Sequence, residues 1–237
     1  MMDLLVSMAV ISVLIALLFP AISMVRESTH KVICGSNMRQ LGMGVSIFTQ
    51  DNKERLPGTV FLPEPRYDAV FSNSPERMDT IRLSRAEYPA FSSDDLWDGL
   101  GMLFGQDYVA APNIFYCPSH HGNFMFEDAV DQWQSLDGRE EIIVNYLYRG
   151  AGPNGLRVLY NIDPTAALVS DTIRSYEDLN HEGGFNILQA GLAVNWFEDI
   201  GDQIAQDVLL RDNGNDGISN SVNTTWDLLD GTDDNDG

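Results

Sequence analysis

Positive charge is scarce in this chain: 14 Lys and Arg stand against 35 Asp and Glu, a formal charge of −21 with a pI near 4.2. A surface of that sign repels a phosphate backbone, which excludes non-specific nucleic-acid binding. Cysteine is scarcer still, with two in 237 residues, so a disulfide-rich scaffold is excluded and one bridge at most remains. Ten Pro and 20 Gly are close to ordinary usage, which removes collagen-like and low-complexity classes. Also missing are a nucleophile elbow, a phosphate-cradling glycine loop, a dinucleotide fingerprint and a metalloprotease helix, and no carboxylate pair stands out. The sequence therefore does not read as that of an enzyme. What it does have is apolar content of 44%, enough to pack a core.

Much of that apolar content lies at the N-terminus. Leu4 to Val25 is a run of 22 residues without a charged side chain. As a helix at ~1.5 Å per residue it measures about 33 Å, matching a hydrocarbon core of ~30 Å, so a membrane span is expected over 4–25. Ser7, Ser12 and Ser23 can bond back to the helix backbone, and Pro20 removes one N–H without ending the helix. A buried core helix and a cleaved secretory signal are the alternatives. The second needs a basic start and a small-x-small cleavage site, and the run has neither. Asp3 opens the segment, either as an acid favoured by the helix N-terminus or as the partner of a cation from another chain.

Asp3 and Pro20 are 17 positions apart, and with Met1-Met2-Asp3-Leu4-Leu5 and the apolar residues between them the segment resembles the N-terminus of type IV prepilins and type II secretion pseudopilins. Arg26-Glu27-Ser28 and Cys34-Gly35-Ser36-Asn37-Met38-Arg39-Gln40-Leu41-Gly42 are similar to the helical continuation in a large bacterial group of such proteins. Two later stretches resemble the same group: Leu96-Trp97-Asp98-Gly99-Leu100-Gly101-Met102-Leu103-Phe104 with Asn113-Ile114-Phe115-Tyr116-Cys117-Pro118-Ser119, and His181-Glu182-Gly183-Gly184-Phe185-Asn186-Ile187-Leu188. The last departs from the group's His-x9-Asp-Gly pattern, because Gly191-Leu192 stands where Asp-Gly is expected. The basic leader cut by a prepilin peptidase does not precede Met1, and a true start further upstream is the expectation. The resemblance implies an inner-membrane anchor with a periplasmic domain, assembly with copies of itself or related subunits through the N-terminal helix, and Asp3 neutralising a neighbouring α-amino group. Arg26, Lys31 and Arg39 follow the span and by charge alone would be cytoplasmic; the family's leader overrides that bias. In an oxidising periplasm Cys34 and Cys117 are expected either to form a bridge between helix and domain or to remain buried thiols.

Beyond the span, Val32, Ile33, Met38, Leu41, Val45 and Phe48 form an apolar stripe, so one helix is expected from near residue 3 to near 50. Residues 62–93 read as a long surface insertion and 94–105 as a short helix. Strands are expected at 142–148, 156–160, 166–170, 185–188 and 192–197, too closely spaced for parallel crossovers. The expected fold is α+β and pilin-like, a long N-terminal helix (1–50) packed on the antiparallel sheet of a domain over 51–197. The segment 198–237 carries eleven acids and one base and reads as a solvated tail.

Two metal readings arise. Cys117-Pro118-Ser119-His120-His121, with His181, gathers one thiol and three imidazoles, but the spacing fits no zinc motif and the histidines read as surface residues of a turn. Asp212-Asn213-Gly214-Asn215-Asp216-Gly217 partly matches a calcium loop, with Asp212 and Asp216 as ligands. The function expected is a pseudopilin-like structural subunit; the alternative is a non-polymerising, membrane-tethered binding module with an acidic face that takes calcium.

Overall fold

In a computed structural model of the chain, the residues described are 2–61, 74–89, 96–135, 140–153, 155–174, 176–209 and 217–230. Helix α1 (Met2–Asp51) is continuous for 50 residues and passes through Pro20. Its serines do bond back to the backbone: Ser7 Oγ donates to Leu4 O at 2.9 Å, Ser12 Oγ to Met8 O at 2.8 Å and Ser23 Oγ to Pro20 O at 2.9 Å. The helix ends where Lys53 and Glu54 turn left-handed, at φ 57° and 61°. Its N-terminal half is bare and apolar on all sides, and this one helix is long and apolar enough to cross a membrane.

The other half of α1 enters a core. Cys34, Met38, Leu41, Val45 and Phe48 are buried at successive three- and four-residue steps, whereas Val32 and Ile33, expected on the stripe, are exposed. The helix can come close because two contact positions lack side chains. A Cβ on Gly42 would lie 2.9 Å from Leu188 Cδ1, and one on Gly44 2.8 Å from Val109 Cγ2.

The rest of the described chain forms a head around this half-helix. It contains β1 (Thr80–Arg82), α2 (Gly101–Gly105), α3 (Phe126–Gln134), β2 (Ile142–Ile143), β3 (Tyr146–Tyr148), β4 (Ala167–Asp171), β5 (Gly184–Gln189), β6 (Val194–Glu198) and α4 (Gly217–Leu229). Strands β3-β4-β5-β6 make a four-stranded antiparallel meander, and β1 pairs with β2 in a separate small sheet. The fold is therefore α+β, with the long helix on an antiparallel sheet.

Four segments differ from their expected form. Of 94–105 only Gly101–Gly105 is α-helical among the described residues, and Trp97 makes a bridge to Arg82. The run 142–148 divides into β2 and β3, which belong to different sheets. In 156–160 only Val158 makes a bridge, to Arg55. The insertion 62–93 is partly interior: Ile81 and Leu83 are buried and β1 lies within it.

The larger correction concerns the acidic tail. Val222, Trp226 and Leu229 of α4 are buried with Leu147, Ala167, Phe185 and Ile187 on the sheet face away from α1. Tyr146, Tyr148 and Leu188 face α1 instead. The meander is thus covered on both sides, a three-layer arrangement in which α4 shields apolar side chains that would otherwise meet water.

One buried acid gives the head a pH dependence. Asp98 accepts hydrogen bonds from Thr59 Oγ1 at 2.6 Å and Val60 N at 2.9 Å. Burial raises its pKa to about 7, against the smaller opposing effects of those bonds and of Arg157 and Arg77. Between pH 4 and 7 the folded chain keeps a proton that the unfolded chain has released. The Asp98 contribution is therefore fully present below about pH 4 and is lost as pH rises through 7. Asp98→Asn keeps the acceptor for Val60 and offers an N–H to Thr59. Its denaturation midpoint is expected to change less between pH 5 and 8 than the parent's and to exceed it at pH 8. Parallel pH profiles for the two proteins would refute this.

Candidate functional site

Glu27 and Cys34 are seven residues apart on α1, two turns, and so share a face. Opposite them stand Cys117, on the loop after the short 3-10 turn Pro112–Phe115, Asp171, the last residue of β4, and His181, in the connection from β4 to β5. The Cys117 loop is tied to the helix by Asn37, whose Nδ2 donates to Tyr116 O at 3.1 Å. Three of the segments that carried the family resemblance, around Glu27–Cys34, Cys117 and His181, meet here.

Cys34 Sγ donates to Asp171 Oδ1 at 2.8 Å and lies 3.3 Å from Tyr146 Oη. Cys117 Sγ is 3.4 Å from His181 Nε2, which is 3.8 Å from Asp171 Oδ2. The far nitrogen of His181, Nδ1, is 2.7 Å from Glu27 Oε1. Glu27 Oε2 also accepts from Ser119 Oγ at 3.0 Å. Asp171 is fully buried, and its Oδ2 accepts from the Asn186 backbone N–H at 2.6 Å and from Asn186 Nδ2 at 3.2 Å.

These contacts set the electrostatics. Burial pushes the Cys34 thiol well above its usual range, and the Cys117 thiol and the Asp171 charge push the same way. At Cys117 burial acts upward, but hydrogen bonds with Cys34 and His181 outweigh it and the pKa falls. Burial disfavours an imidazolium at His181, yet the Cys117 contact and the Asp171 charge raise its pKa to about 9. At Glu27 burial is likewise overcome by the bonds from His181 and Ser119, and the carboxyl sits below its ordinary value. The cluster is held together by hydrogen-bond contacts among these side chains.

No protein-family model, curated protein or solved structure matches the chain.

Cys34 and Cys117, expected either to form a bridge or to remain buried thiols, are brought together as two buried free thiols. With Asp171 and His181 they offer four ligand atoms within 4.8 Å of one another, a set that suits a thiophilic metal. Of the two histidines expected at the surface of the turn after Pro118, His121 is exposed and His120 is buried, and His181 is buried as well. His120 joins the network from outside, with Nδ1 2.7 Å from Asn180 Oδ1, while Asn180 Nδ2 donates to Asp171 Oδ1 at 3.3 Å. Asp212 and Asp216 lie outside the described residues. Asp3 and Pro20 are on the bare half of α1, Asp3 near its start and Pro20 two turns before Glu27, and neither is part of the cluster.

Sequence reasoning did not single out Glu27, Asp171 or Tyr146. The helical interval between Glu27 and Cys34 was a usable signal, since it puts a carboxylate two turns from a thiol. Nothing local marks Asp171, whose role depends on strand pairing. Beside the cluster, at the point where α1 leaves the head, a cleft of about 1040 Å³ is lined by residues including Glu27, Lys31, Ser119, His121 and His181.

Proposed function

We propose that the chain is a pilin-like subunit anchored in a bacterial inner membrane through residues 4–25, with its head in the periplasm, and that it assembles through α1 with copies of itself or with related subunits. The observation that supports this is the division of α1: one continuous helix with a bare apolar half and a half packed into the head. An apolar surface of that size needs lipid or other helices around it. In the proposed fibre Asp3 neutralises the α-amino group of the adjacent subunit, and a prepilin peptidase is a processing partner if an upstream leader exists.

Asp3→Ala is expected to leave the head folded, because Asp3 is exposed and remote from the core, and to lower recovery of the chain in sheared fibres. Unchanged recovery in fibres would overturn the reading. The cleft between α1 and the head favours a second one, a membrane-tethered binding module that does not polymerise. That module stays monomeric in detergent at every concentration, whereas the subunit associates through the anchor as concentration rises.

A further inference from the structure

We infer that Cys34, Cys117, Asp171 and His181 form a structural binding site for one zinc ion, which fastens α1 to the head. The inference does not depend on whether the chain polymerises.

The first argument is geometric. Zinc bonds of ~2.0–2.3 Å in a tetrahedron place the ligand atoms about 3.3–3.8 Å apart. Cys117 Sγ to His181 Nε2, at 3.4 Å, is already an edge of that size, and one ligand atom from each of the four residues lies within 4.8 Å of the others. Cys34 Sγ to Asp171 Oδ1, at 2.8 Å, is a proton-bridged contact. When metal displaces the proton, that edge opens by about half an ångström.

The second argument concerns what surrounds the ligands. The contact from His181 Nδ1 to the Glu27 carboxylate, at 2.7 Å, directs the Nε2 lone pair at the other three ligands. A carboxylate behind a ligating histidine is the usual way a protein fixes the tautomer and ring angle at a metal. Asp171 is held in the same manner, with Oδ2 occupied by Asn186 and Oδ1 facing Cys34. Tyr146 Oη, 3.3 Å from Cys34 Sγ, can donate to a thiolate. Two thiolates and a carboxylate leave one negative charge after a divalent cation binds, and these hydrogen bonds offset it.

The third argument is against a simple bridge. A Cys34–Cys117 disulfide removes the thiol proton that Asp171 Oδ1 now accepts and leaves that buried oxygen only the longer bond from Asn180 Nδ2, at 3.3 Å. Sulfur ligands also argue against calcium, which takes oxygen. Entry is through the cleft at the foot of the head, which Glu27 and His181 line.

The test uses the full-length chain in detergent, reduced and metal-free, titrated with Zn²⁺ against a chromophoric chelator and separately with Co²⁺. One zinc per chain is expected, with a Co²⁺ spectrum of tetrahedral intensity carrying thiolate-to-metal charge transfer. Cys117→Ser is expected to abolish stoichiometric binding. Because a core variant can fail to fold, Glu27→Gln serves as the milder test, with zinc affinity expected to fall about 10–100-fold. Three results would each overturn the assignment: a folded, reduced chain that binds no zinc; unchanged affinity in Glu27→Gln; or a Cys34–Cys117 disulfide in chains whose thiols were trapped before lysis.

Discussion

Asp230→Ala is expected to cost the head about 3–5 kcal/mol, the range for breaking a buried ion pair from one side. The Asp230 carboxylate is almost fully buried at the end of α4, where one oxygen pairs with Arg149 and the other accepts the backbone N–H of Ala167 at 2.9 Å. Truncation to Ala leaves a guanidinium with little solvent contact and a β4 amide without its acceptor. It also frees α4, whose Trp226 ring lies 5.6 Å from the Arg149 guanidinium. With a urea dependence of ~2–3 kcal/mol/M, the midpoint of unfolding should fall by more than about 1 M, which tryptophan fluorescence can follow. Arg149→Met combined with Asp230→Leu should be milder than Asp230→Ala alone, because no charge is then stranded. A midpoint within 0.3 M (roughly the ±10–15% uncertainty of such extrapolations) of the parent would mean that α4 does not anchor the sheet as described.

Gly184→Ala should be comparably severe, for two reasons that act at one atom. Gly184 has φ +156°, which side-chain-bearing residues rarely adopt, and its added Cβ would stand 2.1 Å from Phe197 O and 2.7 Å from the Trp196 ring. The oxygen is backbone in the neighbouring strand, where Gly184 pairs with Glu198, so it cannot swing aside. Conformational strain of ~1–3 kcal/mol adds to an overpacking cost of ~1–3 kcal/mol. Because His181 is three residues away, the variant is also expected to disturb the cluster on α1. Gly183→Ala is the control: φ is +74° but a Cβ there meets nothing within 4 Å, so only the strain remains. Equal stability of the two variants would show that the contact with Phe197 is relieved cheaply.

The parts of the fold legible in the sequence were those with a strong local pattern. The uncharged run and the stripe after it gave α1 almost to its last residue, and β-branched runs gave β4, β5 and β6. What escaped was decided by distant contacts. Helix α4 sits in a stretch of net negative charge, and composition hides that Val222, Trp226 and Leu229 share one face. The break between β2 and β3 is equally invisible, since Ile142 and Tyr146 are similar strand formers that pair with partners far apart in the chain. At the cluster, Cys34, Cys117 and His181 were all noticed, yet short-range spacing rules could not join ligands supplied by four separate segments. Asp171 was one acid among 35 Asp and Glu until the sheet placed it against Cys34.

The same wide separation governs the order in which the molecule can be made. Cys34 is synthesised early, whereas Asp171 and His181 follow 137 and 147 residues later. At a synthesis rate of ~5–20 residues per second, the first thiol waits roughly 7–30 s for the groups that enclose it. Helix α4, which closes the far face of the sheet, comes later still. Until then Cys34 lacks the groups that bury it in the finished head, so its enclosure is among the later events of the molecule's making.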